Sequence, residues 1–274
     1  MIALILFLSL QDEIVKDSDH ELAAEAAIAV KTVVGRVRLM GTDAKSAHVK
    51  SVKRGRDREL VDIRVEADKS KVTVTAEFPR SRRDLEIEIE IDVQVPRSAK
   101  SLKVANVSGS IEVKEARGDA SLSNVSGSIS VEGLTGNLTA VSISGDVRVA
   151  KLAADRASIS LTSGSLEGAG EVGELELKNV SGGSSFDMTP RGKTWTVKSS
   201  NISGNTALRF PATAGGKADL KSLSGGLECD FELRDIGGIE RGRIDRPLRG
   251  TFGDGSGAVR ASSISGDVRL GRMK

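Results

Sequence analysis

The chain has 274 residues, a formal net charge of +2, 38% hydrophobic residues and 3% aromatic residues, with no tyrosine. Its nearly balanced charge is spread along the sequence, which disfavours a dedicated nucleic-acid surface. The single cysteine, Cys229, excludes an intramolecular disulfide framework and a cysteine-clustered metal site.

The first segment of the chain is apolar, since residues 2–10 contain one polar residue, Ser9. This run is too short for a transmembrane helix, which needs about 20 residues, and no other stretch could span a membrane. It has the length of a signal-peptide apolar region, although a basic leader is missing. We therefore predict a signal peptide and leader at residues 1–20, export to the envelope or exterior, and no integral membrane span. The alternatives are a hydrophobic first strand or a misassigned start.

An N-terminal β-strand region is predicted at residues 21–100. Its start overlaps an acidic, alanine-rich stretch at residues 11–27, which is predicted to be a short helix or a loose leader. Residues 61–78 form two alternating segments around a polar turn, which is typical of paired strands. Residues 85–95 alternate apolar and acidic side chains, which predicts a strand with one solvated face. Residues 50–58 are predicted to form a basic loop.

A nine-residue repeat occupies residues 102–149, with small or apolar side chains at positions one, three and six and glycine at position eight. The longer motif NVSGSI begins at Asn106 and again at Asn124, and SISGDV begins at Ser142. A period of eighteen predicts coils of two short strands and two turns, each covering the apolar face of its neighbour. The motif drifts after residue 149 and returns near the C-terminus.

The predicted fold is therefore all-β: a single-stranded β-solenoid of about 18-residue coils at residues 101–274, continuous with the N-terminal β-strand region. Equivalent asparagines (Asn106, Asn124, Asn179 and Asn201) are predicted to form a ladder of side-chain amides. Glycine reaches positive φ without a Cβ clash, so it is predicted at the turns. These turn glycines are Gly109, Gly118, Gly127, Gly136, Gly145, Gly164, Gly182, Gly204, Gly225 and Gly266.

The motifs that carry catalysis are missing from the sequence. His20 and His48 have no partner spacing for zinc or for a nucleophilic triad. No nucleophile elbow and no phosphate-binding loop occurs. The aspartates Asp119, Asp146 and Asp155 are too sporadic for a calcium-binding nonapeptide solenoid. We expect no cofactor and no metal.

A binding site is predicted where the repeat is interrupted, because irregular segments can present unique groups. Residues 186–196 hold the single tryptophan, Trp195, with Arg191 and Lys193 nearby. Tryptophan and arginine are enriched among residues that dominate binding energy. We interpret Trp195 as a core residue at the point where the coil bulges, and the alternative is a partner-binding site formed by Arg191, Lys193 and Trp195.

The chain resembles a bacterial family of β-strand-repeat proteins called putative adhesins. The resemblance runs from Ile28 to the C-terminus and rests on VVGRVRLMG, VPRSAKSLKVANVSGSIEV, the SGSI and SGDV turns, and SSISGDVRL. It implies an exported or envelope-associated protein, and the family pattern offers no catalytic residue to carry over. We therefore predict a non-catalytic structural, adhesin-like or binding module for an envelope protein or polysaccharide. The alternatives are a polysaccharide-acting β-helix enzyme and an envelope-stress regulatory accessory protein.

Overall fold

The computed structural model describes residues 13–23, 25–79, 85–235 and 247–273, so residues 1–12 of the predicted signal peptide and leader (residues 1–20) lie outside them. The all-β prediction is confirmed: the described strands form one connected sheet, accompanied by a single turn of 3-10 helix at Arg58–Leu60. The architecture is solenoid-like, because successive stretches of chain stack in parallel register around one apolar interior.

The strands are numbered in chain order. The N-terminal strands are β1 (Glu13–Glu21), β2 (Ala27–Lys31), β3 (Val34–Thr42), β4 (Ser46–Arg54), β5 (Asp62–Asp68), β6 (Lys71–Glu77) and β7 (Glu88–Pro96). The middle strands are β8 (Ser101–Lys114), β9 (Asp119–Ser126), β10 (Ile129–Glu132), β11 (Leu138–Ser144), β12 (Val147–Ser163), β13 (Leu166–Ser181) and β14 (Ser184–Pro190). The C-terminal strands are β15 (Thr196–Ser203), β16 (Thr206–Phe210), β17 (Gly216–Ser224), β18 (Leu227–Cys229), β19 (Leu248–Phe252), β20 (Gly257–Ser265) and β21 (Val268–Arg272).

Each middle coil contributes to two faces that meet at a glycine corner. On the first face, Leu102 lies beside Ala120, which lies beside Leu138 in the next coil. On the second face, Ile111 lies beside Ile129, which lies beside Val147. Alternate residues of both faces point inward and are buried, as expected for strands with one covered face. A coil alone has too small an interior, so each coil depends on its neighbours.

The polar side chains at the corners connect neighbouring coils. Asn124 Nδ2 donates to the carbonyl oxygen of Gly109 at 2.9 Å, and Asn201 Nδ2 donates to that of Gly182 at 3.3 Å. The equivalent asparagines do lie beside one another, Asn106 with Asn124 and Asn179 with Asn201, as the ladder predicts. Their amides donate to turn carbonyls and not to one another. The geometry favours this arrangement because each glycine turn directs a carbonyl oxygen toward the asparagine.

Two N-terminal predictions are wrong. Residues 13–21 of the predicted helix or leader form strand β1, which pairs antiparallel with β4. Most of the predicted basic loop at residues 50–58 belongs to β4, where alternation turns Lys53 inward. Lys53 is buried, its Nζ donates to the carbonyl oxygen of Val61 at 2.5 Å, and burial lowers its pKa.

The N-terminal region contains the first coil of the stack and its cover. Strands β2 and β3 lie beside β8 in parallel register, so this region is continuous with the repeat. Strand β7 lies between β3 and β4, and the β5–β6 hairpin pairs with β2 through β6. Strands β1 and β5 are the outermost strands of the two faces at this end of the stack. Each pairs antiparallel with its neighbour, so the parallel stacking of coils stops here.

The C-terminal coils do not follow chain order, although the repeat suggests they should. The last coil, β20–β21, lies between β15–β16 and β17–β18. Its inward residues Val259, Ala261, Val268 and Leu270 are buried. A regular coil can contact neighbours on both sides, whereas the short β18 and the antiparallel pair β17–β19 suit the end of a stack.

Candidate interaction surface

The three predicted binding residues do not form one exposed site. Trp195 is 3% exposed, and its ring centroid lies 5.0 Å from that of Phe210 and 6.5 Å from that of Phe252. It therefore fills the core where the coil bulges, in agreement with the core interpretation and not with the partner-binding alternative. The apolar ring gains more from burial among aromatic rings than from exposure to water.

The two cations near Trp195, Arg191 and Lys193, lie at the surface in different environments. Arg191 Nε lies 3.0 Å from Asp155 Oδ1, so it forms an ion pair with the corner of another coil. Lys193 is exposed in the bend before β15. A shallow cavity of about 240 Å³ adjoins Trp195, and Pro190, Pro211 and Asp254 help to line it. This cavity has no cluster of charged groups that would select a ligand.

The ten predicted turn glycines all have positive φ, from 100° at Gly118 to 157° at Gly225. Those at the first-face corner stack directly on one another, so that a Cβ at Gly127 would overlap the carbonyl oxygen of Gly109. The same stacking continues in the C-terminal coils, where Gly266 lies between Gly204 and Gly225. These residues are structural, and they bring the side chains just before them to one edge.

The histidines and the cysteine do not assemble a catalytic group. His48 Nε2 lies 3.2 Å from Asp17 and Nδ1 lies 2.9 Å from Asp19, so the carboxylates contact opposite edges of the ring. His20 Nε2 lies 2.9 Å from the hydroxyl of Ser18. Burial raises the pKa of the Cys229 thiol, which keeps it protonated and weakly nucleophilic at neutral pH. Within the described ranges, no group of three or more His, Cys, Asp or Glu residues could hold a metal ion.

Carboxylates on the second face are paired with basic side chains of neighbouring strands. Arg38 Nε lies 2.8 Å from Glu112, and Arg148 lies 2.9 Å from Glu167. The acidic side of β7 is paired similarly, because Glu90 lies 3.2 Å from Arg54. These carboxylates link neighbouring strands.

An exposed row of aliphatic side chains follows the edge of the first face, immediately before the glycine corner. We call this set the apolar row. Its members range from 39% exposed at Val125 to 61% at Leu223. In stack order it consists of Val33, Val107, Val125, Ile143, Val180, Ile202, Ile264 and Leu223, with Thr162 at the equivalent position of one coil.

The sixth position of the nonapeptide is buried at one corner of the coil and exposed at the other. Ala116 and Leu134 are buried at one corner, whereas Val107 and Val125 are exposed at the other. Outward positions of a strand alternate with inward ones, and the exposed valines continue the outward set of the first face. Consecutive positions are about 4.8 Å apart, so nine coils extend the row for about 38 Å.

Basic side chains lie beside the apolar row in the four coils at its C-terminal end. We call Lys178, Lys198, Arg260 and Lys221 the basic strip. Lys198 lies directly opposite Arg260 on the neighbouring strand. Neither has a carboxylate within ion-pair distance among the described residues, whereas Lys178 Nζ lies 2.8 Å from Glu176 and Lys221 Nζ lies 3.8 Å from Asp219. A hydrogen bond from Lys178 lowers the pKa of Glu176.

The Toastrack DUF4097 family matches residues 27–271, which is most of the chain. The chain belongs to the Toastrack DUF4097 family. The resemblance to a β-strand-repeat family of adhesin-like proteins is thereby confirmed. No curated protein matches the chain.

Solved structures similar to this Toastrack chain are remote in sequence. A putative adhesin from Parabacteroides distasonis is 13% identical, with a TM-score of 0.45 and coverage of 95% of this chain and 97% of that chain. A putative adhesin from Bacteroides fragilis is 12% identical, with a TM-score of 0.43 and coverage of 94% and 97%. A putative lipid binding protein from Parabacteroides distasonis is 12% identical, with a TM-score of 0.40 and coverage of 95% and 97%.

Among the residues that the structure describes, this Toastrack chain has no helix long and apolar enough to cross a bilayer.

Proposed function

We propose that this Toastrack protein is a non-catalytic docking scaffold of the cell envelope, and that the edge of its first face is the surface that docks. The observation that carries the proposal is the apolar row, which keeps aliphatic side chains in water through almost the whole stack. Exposing large apolar side chains in one continuous row is unfavourable unless something covers them, and such patches mark interaction sites.

The alternative of a polysaccharide-acting enzyme is less well supported. Such an enzyme needs a groove with unpaired acids, whereas carboxylates such as Glu112 and Glu167 are paired with cations of adjacent strands. Sugar rings usually stack on exposed aromatic side chains, and the described residues expose no large aromatic side chain. Non-catalytic docking therefore fits the surface better.

Envelope localisation is part of the proposal and depends on the apolar segment at residues 2–10. It is tested by fractionating the native host and sequencing the N-terminus of the mature protein. A protein that retains Met1 and fractionates with the cytoplasm would contradict it.

The docking role is tested with washed bacterial envelope particles that contain both wall and membrane. We expect wild-type protein to sediment with the particles, and the double variant Ile202→Ser, Ile264→Ser to sediment at least tenfold less because the apolar contact is lost. The matched control Val15→Ser, an exposed apolar residue of β1, should behave as wild type. Equal sedimentation of all three proteins would overturn the proposal, and so would release of reducing ends from polygalacturonate or peptidoglycan.

A further inference from the structure

The C-terminal end of the first face combines apolar and cationic side chains on the same four strands. Moving along the stack through β13, β15, β20 and β17, the apolar row presents Val180, Ile202, Ile264 and Leu223. Three of these, Ile202, Ile264 and Leu223, are among its most exposed and bulkiest members. The outward position two residues earlier is Lys178, Ser200, Ser262 or Lys221, in the same stack order.

The charges of this end are unbalanced. The basic strip holds four cations, and the carboxylates among them are Glu176 and Asp219. Asp219 is also contacted by Arg249, whose Nε lies 3.0 Å away. Lys198 and Arg260 face each other across adjacent strands, and like charges in directly opposed positions repel. Glu176 is directly opposite Lys198, and Asp219 is directly opposite Arg260, on the outer sides of this pair. An external anion at this position would relieve the repulsion.

The corresponding positions in the middle coils differ in chemistry. On β9, β11 and β12 the outward residues nearest the row are uncharged: Ser121, Ser123, Thr139, Val141, Ser158 and Ser160. Cations return at the N-terminal end of the face, where Lys31 lies two residues before Val33 and Lys103 lies in register with Ser121. The C-terminal end is distinguished because four cations on adjacent strands coincide there with Ile202, Ile264 and Leu223, which are among the most exposed members of the row, and this combination defines a local amphipathic edge.

We propose that this edge docks on an anionic lipid surface, with the apolar row inserted among the headgroups and the basic strip above it at the level of the lipid phosphates. The inference rests on the proposed docking function and names its partner. Peripheral attachment of this kind combines burial of apolar area with attraction to anionic lipid.

Two other occupants fit less well. A second copy of the chain would need about 800 Å² of contact on each side, whereas a strip 38 Å long and one residue wide covers about 270 Å². A two-fold contact would also bring two basic strips close together. A polysaccharide would meet an edge without exposed aromatic side chains among the described residues. A bilayer requires neither a deep pocket nor a wide interface.

The test is flotation of the purified full-length protein with vesicles of pure phosphatidylcholine or of phosphatidylcholine containing 30% phosphatidylglycerol. We expect binding to the anionic vesicles that falls at least tenfold between 0.1 M and 0.5 M NaCl, because salt screens the attraction. Each cation near an anionic surface contributes about a fivefold gain in partitioning. Lys198→Gln, Arg260→Gln should therefore weaken binding about 25-fold.

The variants separate the two components of the edge. Ile202→Ser, Ile264→Ser should lower binding at both salt concentrations, because it removes inserted apolar area. Arg148→Gln, Arg269→Gln removes the same charge from the second face and should change binding less than twofold. All six side chains are exposed, so the unfolding midpoints should match that of wild type, which controls for misfolding.

Three outcomes of the flotation test would overturn the lipid assignment. The first is that wild type does not float, and the second is that it floats equally with neutral and anionic vesicles. The third is that Lys198→Gln, Arg260→Gln and the control Arg148→Gln, Arg269→Gln lose the same amount of vesicle binding. Binding to soluble polyphosphate that depends on Lys198 and Arg260 but not on Ile202 and Ile264 would also overturn it. If wild type fails to float while the isoleucine variant still loses envelope sedimentation, the lipid assignment fails and the docking function stands. If Ile202→Ser, Ile264→Ser retains both vesicle flotation and envelope sedimentation, the lipid assignment and the docking function both fail.

Discussion

The coils at residues 101–190 and those at residues 196–272 share a motif but differ in order. In the first group each coil lies next to the one that follows it in the chain. In the second group the last coil lies between two earlier ones. Both groups stack glycines at the same corner. The motif therefore determines the shape of a coil but not its place in the stack.

Large unique side chains distinguish the C-terminal group. Trp195, Phe210, Phe252 and Phe231 form a chain of ring contacts, with Phe231 and Phe252 centroids 4.8 Å apart. A Cβ at Gly257 would overlap the indole ring of Trp195. The last coil can thus approach β15 only because its first residue has no side chain. Repetition specifies the coil, and these non-repeated contacts specify the order.

The largest expected effect comes from removing the indole that organises the C-terminal coils. We expect Trp195→Ala to lower the free energy of unfolding by about 3–5 kcal/mol, the usual cost of truncating a buried large aromatic residue. The loss should be concentrated in residues 257–272, where hydrogen exchange should accelerate more than in residues 101–190. Lys193→Ala, an exposed neighbour, should change stability by less than about 0.5 kcal/mol. Similar urea midpoints for Trp195→Ala and Lys193→Ala would show that Trp195 does not contribute to the core.

The corresponding experiment in the middle coils targets a repeated position. Gly127 has a φ of 113°, and its missing Cβ leaves room for the carbonyl oxygen of Gly109. Gly127→Ala should lower the free energy of unfolding by about 2–4 kcal/mol, because left-handed backbone strain adds to steric overlap. Ser128→Ala, one residue away and exposed, should cost less than about 0.5 kcal/mol. Coincident denaturant midpoints would show that the glycine corner is not under steric constraint.

The strands and turns of the middle coils were predictable because period and glycine spacing are local properties of the sequence. The exposure of Val107 was not, because a nine-residue period treats both corners of an eighteen-residue coil as equivalent. Ala116, one unit later, occupies the other corner and is buried. The pairing of Lys198 with Arg260 was also hidden, since these residues become neighbours only through the unexpected coil order.

An intermediate effect is expected at the asparagine positions that both groups share. Asn124 is buried, and its amide donates to Gly109. Asn124→Ala should lower the free energy of unfolding by about 1–2 kcal/mol, because the turn carbonyl loses its donor. Asn124→Ser should cost less, since Ser142 occupies the equivalent place and its hydroxyl donates to Gly145 at 3.4 Å. Thermal denaturation of the two variants tests this, and a serine variant less stable than the alanine variant would contradict it.

The smallest effect is expected where the first coil joins the middle coils, through the pairs of Glu112 with Arg38 and Lys114. Hydrogen bonds from Lys114 and Arg38 lower the pKa of Glu112. Because the pKa of Glu112 is lower in the folded protein than in the unfolded chain, its carboxylate stabilises the folded state at pH values above the unfolded pKa. This contribution is lost as the pH falls through the pKa of the folded state. Glu112→Gln should therefore cost less than about 1 kcal/mol at pH 7, with a difference from wild type that shrinks below about pH 4.3. Urea titrations from pH 7 to pH 3 measure this, with Glu21→Gln as the charge-matched control. A difference that grows on acidification would show that Glu112 does not stabilise the join as a carboxylate.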